Sequence, residues 1–139
     1  MRLRAGVSSP ARTYLKVGHK NFFVSCIKWA GMGREILEYA WVNKGFALIR
    51  QGKYDEAIKA FDKAIELNPQ YADAWSNKGV ALYNQGKCDE AIKAFDEAIK
   101  LNPQDPIARY AKGLVLQKLG HSVEADAAFA KAKELGYQG

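Results

Sequence analysis

Apolar residues through the middle of the chain recur at steps of three and four, which is the spacing of one face of an α-helix. The first such stretch, residues 38–52, carries on one face Tyr39, Val42, Phe46 and Ile49. Residues 54–67 carry a second face of the same kind, and the pattern continues almost to the end of the chain. It predicts six helices, near residues 37–51, 54–67, 71–85, 88–101, 106–119 and 122–135.

Turn-forming residues separate the predicted helices. Gly52 can take the positive φ that ends a helix. Asp55 then lies in the first turn of the next helix, where the helix dipole favours a negative charge. Asn68 precedes a proline, and because such a residue avoids the α-helical region, the second helix is expected to end there. Further along, Asp105 and Pro106 supply an N-cap and a proline at the first helical position.

Residues 38–71 are repeated almost unchanged in residues 72–105, since the two stretches align without a gap and share 24 of 34 residues. A fixed period of this length indicates stacked supersecondary units. A third, weaker copy follows, with Arg109 where the first two have tryptophan and Tyr137 where they have proline. The strongest shared positions are Trp41/Trp75, Gly45/Gly79, Leu48/Leu82, Ala57/Ala91, Phe61/Phe95, Ala64/Ala98 and Pro69/Pro103.

This 34-residue pattern, with Gly-Lys between the helices and Asn-Pro at the end of the first two copies, closely resembles the tetratricopeptide repeat. The resemblance covers about three quarters of the chain. It implies an all-α fold, a superhelical solenoid of three helix hairpins, with a short N-terminal segment before it. The implied domain is residues 34–139, with repeats at 38–71, 72–105 and 106–139, and the extension is residues 1–33.

The resemblance also suggests how the hairpins pack. The family pattern places Gly45 against Ala57, so that two backbones come close, and we expect Phe61 and its two equivalents to fill the space between hairpins. The third copy has Asp126 and Lys133 where the earlier copies have isoleucine. Charged side chains suit a solvated end of the stack, so we expect the third repeat to act as its own cap. The alternative is that a second molecule covers that face.

In this family the first helix of each pair lines a concave groove that takes a peptide or helical segment of a partner. The residues carried over as groove candidates are Tyr39, Val42, Phe46, Ile49, Arg50, Asn77, Val80, Tyr83, Asn84, Tyr110, Leu114 and Lys118. The tyrosines are favoured because each offers an apolar ring with a polar tip. Packing between adjacent first helices is the competing explanation for Val42, Phe46 and Val80.

One subclass of the family clamps the C-terminal carboxylate of a chaperone tail with lysine, asparagine and arginine side chains. The matching positions here hold Val42, Phe46, Asn77, Ile107 and Ala111. Only Asn77 keeps the residue type of that subclass, and a carboxylate without its cations has no reason to dock. We therefore expect no binding of such a tail.

Charge is distributed unevenly along the 139 residues. Residues 1–31 hold six of the 21 Lys and Arg residues and no Asp or Glu, whereas the other 15 basic residues balance all 15 acidic ones. The formal net charge of +6 therefore belongs to the N-terminal segment.

No apolar run approaches the roughly 18–20 residues of a membrane-spanning helix. The two cysteines, Cys26 and Cys88, form no motif, which favours a reducing compartment, and we expect the cytoplasm.

The acid-free N-terminal segment has several interpretations. Its composition is that of an organelle transit peptide, although its amphipathic pattern is poor, and Lys28 interrupts the apolar stretch of a secretory signal. Its basic and aromatic residues could contact RNA or an anionic membrane surface. Alternatively a short helix near residues 20–30 caps the first repeat and the extreme end is mobile. The native chain could also begin at Met32, with the preceding residues a reading-frame error.

No residues suggest catalysis or a cofactor. His19 and His121 have no Cys, Asp or Glu at metal-ligand spacing and no serine that would form a triad. The paired carboxylates, such as Asp55 and Glu56, recur with the repeat and serve helix starts. No glycine-rich phosphate-binding motif is present. We expect no enzyme, no metal, no cofactor and no small-molecule substrate.

The sequence therefore predicts a non-enzymatic scaffold that binds a peptide or helix of another protein. Two alternatives remain open. In the first, the protein self-associates as a homodimer or masks itself, because the aromatic N-terminal segment occupies a groove or a dimer interface. In the second, the basic tail binds nucleic acid or an anionic surface, a hypothesis that the neutral repeats do not support.

Overall fold

The computed structural model describes residues 33–139, which form six α-helices and contain no strand. The helices are α1 (Gly33–Arg50), α2 (Tyr54–Leu67), α3 (Ala72–Asn84), α4 (Cys88–Leu101), α5 (Pro106–Lys118) and α6 (Ser122–Glu134). Consecutive helices pair as α1–α2, α3–α4 and α5–α6, and each hairpin packs on the next. The predicted all-α solenoid of three hairpins is confirmed.

The first helix of each hairpin ends at a glycine with left-handed backbone. In the first hairpin Gly52 has φ of 76°, and its N–H donates to the carbonyl of Ile49 at 2.9 Å. The next N–H, of Lys53, donates to the carbonyl of Leu48 at 2.9 Å. These two bonds make a Schellman motif, which satisfies carbonyls that the helix end would leave unpaired. The same motif follows α3, α5 and α6.

The second helix of the first two hairpins ends at the predicted Asn-Pro step. Asn68, the residue after α2, has extended backbone, with φ −147° and ψ 94°, as expected before a proline. Its side-chain oxygen accepts a hydrogen bond from the N–H of Gln70 at 3.0 Å, which turns the chain toward α3. In the third hairpin the predicted cap is confirmed, because Asp105 Oδ1 accepts from the N–H of Ile107 at 2.8 Å.

The helix bounds agree with the predicted ones to within one residue, except at the start of α1. That helix begins at Gly33, four residues before the predicted position. The 34-residue frame begins at Glu38 and so misses one extra turn. Glu35 lies in that turn, where the helix dipole favours a negative charge. The predicted helix near residues 20–30 and the other interpretations of the N-terminal segment lie outside the described residues.

The group nearest to Gly45 is not the alanine that the family pattern places there. Phe61, which shares a core cluster with Ala74 and Ala81 of the next hairpin, also lies against Gly45 of its own hairpin. A Cβ atom at Gly45 would come within 2.5–2.9 Å of three atoms of the Phe61 ring. The same contact joins Gly79 to Phe95 and Gly113 to the third phenylalanine. The ring, rather than the alanine on α2, is therefore the group nearest to the missing side chain.

Contacts between hairpins are made by small apolar residues and by ion pairs. Ala74 and Ala81 of α3 are fully buried, and they share one core cluster with Phe61 and Ala64 of α2. A second cluster joins α4 to Val115 of α5. The packing is therefore continuous from the first hairpin to the third.

The ion pairs between hairpins repeat with the 34-residue period. Lys78 Nζ lies 2.7 Å from Asp62 Oδ1, and Lys112 Nζ lies 2.6 Å from Asp96 Oδ1. Each pair joins the second helix of one hairpin to the first helix of the next. The series ends at Ala130, which occupies the corresponding position on α6.

Candidate functional site

The first helices α1, α3 and α5 lie side by side, since α3 contacts both α1 and α5. We call the twelve groove candidates together with Ile107 and Tyr137 the first-helix surface. Each of the three helices presents the same register positions there because the hairpins repeat. The structure therefore brings the candidates from three separate parts of the sequence onto neighbouring helices.

Three large apolar side chains of this surface are exposed. Tyr39 and Phe46 on α1 are 59% and 52% exposed, and Ile107 on α5 is 63% exposed. A helix that packs on its neighbours through other faces gains nothing from apolar residues left in water. Phe46 in particular is outside the core, although packing was the competing explanation for it.

Other candidates are covered to different degrees. Val42 is only 7% exposed and belongs to the core cluster of the first two hairpins, so it presents little surface to a partner. Ile49, Val80 and Leu114 are half-buried, and Val80 packs against the second core cluster. These side chains form the floor of the surface, while Tyr39 and Phe46 project from it.

Tyr110 is part of an aromatic cluster at the third hairpin. Its ring stacks on Tyr137, with centroids 4.1 Å apart and planes 24° apart, and lies 5.2 Å from the ring of Phe129. The sequence interpretation missed Tyr137, which was noted only as a replacement for proline. The replacement of the repeat proline by this tyrosine was the sequence signal that pointed to an aromatic contact here.

The C-terminal ends of the first helices carry polar and basic side chains. Arg50, Asn84 and Lys118 are exposed there. Lys118 Nζ lies 4.7 Å from the centroid of the Tyr83 ring, a cation–π contact between α5 and α3. Asn84 Nδ2 donates to the carbonyl of Val80 at 2.9 Å, so part of its hydrogen-bonding capacity is already used.

The opposite edge, near the N-terminal ends of α1 and α3, is acidic and aromatic. Glu38 Oε1 accepts a hydrogen bond from Asn68 Nδ2 at 3.2 Å, and the carbonyl of Asn68 accepts from the N–H of Tyr71 at 3.1 Å. Burial raises the pKa of the Tyr71 phenol, and the charges of Asp73 and Glu38 add to the rise. Glu38, Tyr39, Tyr71 and Asp73 are called the Glu38 cluster below.

A different set of depressions lies away from this surface, between the two helices of each hairpin. The one in the first hairpin has a volume of about 460 Å³ and is lined by residues that include Trp41, Lys44, Glu56 and Lys59. Equivalent residues line similar depressions in the other hairpins. Their lining carries both signs of charge, and they contain none of the predicted groove residues.

Between residues 33 and 139, no three His, Cys, Asp or Glu side chains are grouped closely enough to hold a metal ion. His121 Nδ1 lies 3.6 Å from a carboxylate oxygen of Glu124 at an exposed helix start. Cys88 is buried. No helix in this range is long and apolar enough to cross a membrane.

The family model of the tetratricopeptide repeat matches the chain twice, over residues 42–106 and 77–136. Together the two matches span more than half of the 139 residues. They begin inside α1 and end after α6, so they include the second half of α1 and all of the other five helices. No curated protein sequence matches the chain.

Solved structures of similar fold include proteins with bound peptide. The second TPR of Spaghetti (RPAP3) bound to the HSP90 peptide SRMEEVD has a TM-score of 0.69 and 25% identity, over 71% of this chain and 92% of that one. MamA has a TM-score of 0.69 and 29% identity, over 90% of this chain and 73% of that one. The Yersinia enterocolitica type III secretion translocator chaperone SycD has a TM-score of 0.69 and 22% identity. The alignment covers 70% of this chain and 74% of that one.

Proposed function

Because this chain belongs to the tetratricopeptide repeat family, whose repeats are non-enzymatic protein-interaction modules, we propose that its first-helix surface binds a segment of another protein. The segment lies across α1, α3 and α5 as an extended strand or a helix. Its apolar side chains contact Tyr39 and Phe46, and its polar side chains face the edges of the surface.

The exposure of Tyr39, Phe46 and Ile107 carries this proposal. Aromatic side chains are enriched at binding sites because they bury a large area at a low cost in side-chain entropy. Here three large apolar side chains are exposed on two first helices, while the phenylalanines Phe61 and Phe95 of the second helices are completely buried. The exposure of these three side chains on the first helices therefore favours a binding role for this surface.

The edges of the surface supply orientation. Arg50 and Lys118 are cations near the C-terminal helix ends, and Lys118 already rests on Tyr83. A carboxylate of the partner that approaches this edge would find two exposed cations and the amide of Asn84. Such rim charges contribute to orientation and association rate more than to affinity.

Capture of partners from native lysate on the immobilised full chain, read by mass spectrometry, tests the proposal. Replacement of Tyr83 and Arg50 together, as Tyr83→Ala and Arg50→Ala, should abolish capture of the specific partner. A thermal melt by circular dichroism checks that the variant still folds, because Tyr83 also packs against the second core cluster. Tyr39→Ser with Phe46→Ser should act in the same way, because both side chains are largely in water before binding.

Val123→Ser provides the matched control. Val123 is an exposed apolar residue on α6, 81% exposed and outside the first-helix surface. Its replacement removes exposed apolar area at another place on the protein and should leave capture unchanged. Capture that survives both double replacements, or that is lost with Val123→Ser, would contradict the proposed surface.

A further inference from the structure

Glu38 is the one charged residue that is buried among residues 33–139, at 9% exposure. Its Oε1 accepts from Asn68 Nδ2, but its Oε2 is buried and has no hydrogen-bond partner among the described residues. The ion pairs found in this range all lie elsewhere. A buried carboxylate oxygen without a donor is costly, so it points to a group that binds there.

The neighbours of Glu38 do not supply that donor but would suit a cation. Tyr39 follows Glu38 on α1 and is largely in water, and Tyr71 is half-buried at the N-cap of α3. Asp73 adds a second carboxylate in the first turn of α3. Tyrosine rings attract cations through their faces, and a buried charge is screened less by water and salt than an exposed one.

We propose that the Glu38 cluster takes the side chain of a lysine or arginine, supplied by the segment that binds the first-helix surface. The cation lies on Tyr39 and Tyr71, between the carboxylates of Asp73 and Glu38, and a small rotation of Glu38 lets Oε2 accept its N–H. This inference rests on the proposed function and adds the charge of the partner to it.

The first-helix surface is then polarised along its helices. The Glu38 cluster at the N-terminal edge accepts a basic residue, and Arg50 and Lys118 at the C-terminal edge accept an acidic one. A partner segment therefore carries a lysine or arginine on one side of its apolar face and an acidic residue on the other.

Two synthetic peptides test the cation site on the full-length chain. They share a twelve-residue core of leucine and alanine, and one ends in two lysines while the other ends in two uncharged glutamines. Binding is measured by fluorescence anisotropy at low salt. We expect the lysine peptide to bind at least about tenfold more tightly, a difference of about 1.4 kcal/mol.

Glu38→Gln is the decisive variant. Glutamine keeps the oxygen that accepts from Asn68 Nδ2, so the fold retains this bond and only the charge is removed. We expect Glu38→Gln to lose most of the preference for the lysine peptide, while the melting temperature of the free chain rises. Asp73→Asn and Tyr39→Ser should also lower this preference. Glu35→Gln, an exposed carboxylate in the first turn of the same helix, is the matched control and should keep the preference.

The source of the cation is separated by a further variant, in which the six Lys and Arg residues of residues 1–31 are changed to glutamine. Lysine-peptide binding by the unaltered chain supports a partner as the source, whereas binding that appears only in this variant supports the same site filled by the chain's own basic segment. Equal binding of both peptides, or a preference that Glu38→Gln leaves intact, would overturn the cation site. Partner capture that depends on Tyr83 and Arg50 but not on Glu38 would leave the proposed function standing.

Discussion

The glycine on each first helix is matched to an aromatic ring. At Gly79 a Cβ atom would lie 2.8 Å from two atoms of the Phe95 ring, closer than atoms in contact can approach. Phe95 is 1% exposed, so its ring cannot turn away from Gly79 into solvent without losing its burial. The missing side chain at Gly79 on α3 thus permits a large apolar ring to be buried on α4.

Gly79→Ala should therefore lower the free energy of unfolding by about 1–3 kcal/mol, although alanine favours helix more than glycine does. Overpacking outweighs propensity here because the neighbouring ring is confined. Chemical denaturation followed by circular dichroism measures the change. A stabilised Gly79→Ala variant would show that the ring can move aside.

Phe95→Leu provides the partner for a double-mutant cycle. The smaller leucine leaves space next to position 79, so Gly79→Ala should cost less in this background than in the unaltered chain. We expect a coupling of at least about 0.5 kcal/mol between the two positions. Additive effects would mean that the alanine strains some other contact.

Arg109 performs the same task as the tryptophan that it replaces. Trp75 Nε1 donates to the carbonyl of Pro69 at 3.1 Å, and Arg109 donates through two nitrogens to the carbonyl of Pro103, at 3.1 and 3.3 Å. Both bonds tie a first helix to the turn before it. The third copy has lost the aromatic residue but kept the donor.

Arg109→Ala should therefore destabilise the third hairpin by about 0.5–1.5 kcal/mol, the usual net value of one hydrogen bond. Arg109→Trp should restore the bond, as in the second hairpin, and return the melting temperature close to that of the unaltered chain. Denaturant titration of the two variants side by side checks this. Equal losses in both would show that the guanidinium has another role.

At the scale of elements, the helix hairpins were predictable because their signals are local. Gly52, Asn68 and Asp105 each act within a few residues of the helix end that they set, so five of the six helices agree with their predicted bounds to within one residue. The contact of Phe61 with Gly45 was not predictable in this way, because it depends on how two helices cross. The extra turn at Gly33 lies outside the repeat frame and had no local signal stronger than Glu35.

The ion pairs between hairpins should contribute little to stability. Lys78 and Asp62 are 2.7 Å apart, but their side chains are 24% and 44% exposed, so water and salt screen the pair. A double-mutant cycle with Lys78→Met and Asp62→Asn should give a coupling of about 0.2–1 kcal/mol that shrinks in 1 M salt. A coupling that persists at high salt would indicate that these pairs hold the hairpins together.

At the scale of the whole molecule, the binding surface was only partly predictable. Its position on the first helices follows from the repeat, and so do the twelve candidates. Which of them are exposed depends on the neighbouring hairpin, so Val42 lies in the core while Phe46 does not. Glu38 and Tyr137 were missed because both acquire their neighbours, Asn68 and Tyr110, only when distant parts of the chain pack.

The charge pattern of this surface leads to a prediction about the peptide that the RPAP3 repeat binds. A C-terminal carboxylate would meet Val42, which is buried, and Ile107 and Phe46, which are apolar and exposed. No lysine or arginine stands at these positions to compensate the desolvated charge, and an unpaired carboxylate is costly to bury. SRMEEVD should therefore bind with a Kd weaker than about 100 µM, which is less than about 5.5 kcal/mol of binding free energy.

Isothermal titration of SRMEEVD into the full-length chain measures this affinity, with the second TPR of Spaghetti (RPAP3) as the positive control, since its structure contains the same peptide. The two domains share 25% of their residues and one fold, so a difference in affinity would come from the side chains on the first helices. Low-micromolar binding by this chain would mean that Arg50 and Lys118 reach the carboxylate from the C-terminal edge. The acidic end of the peptide would then be held at that edge.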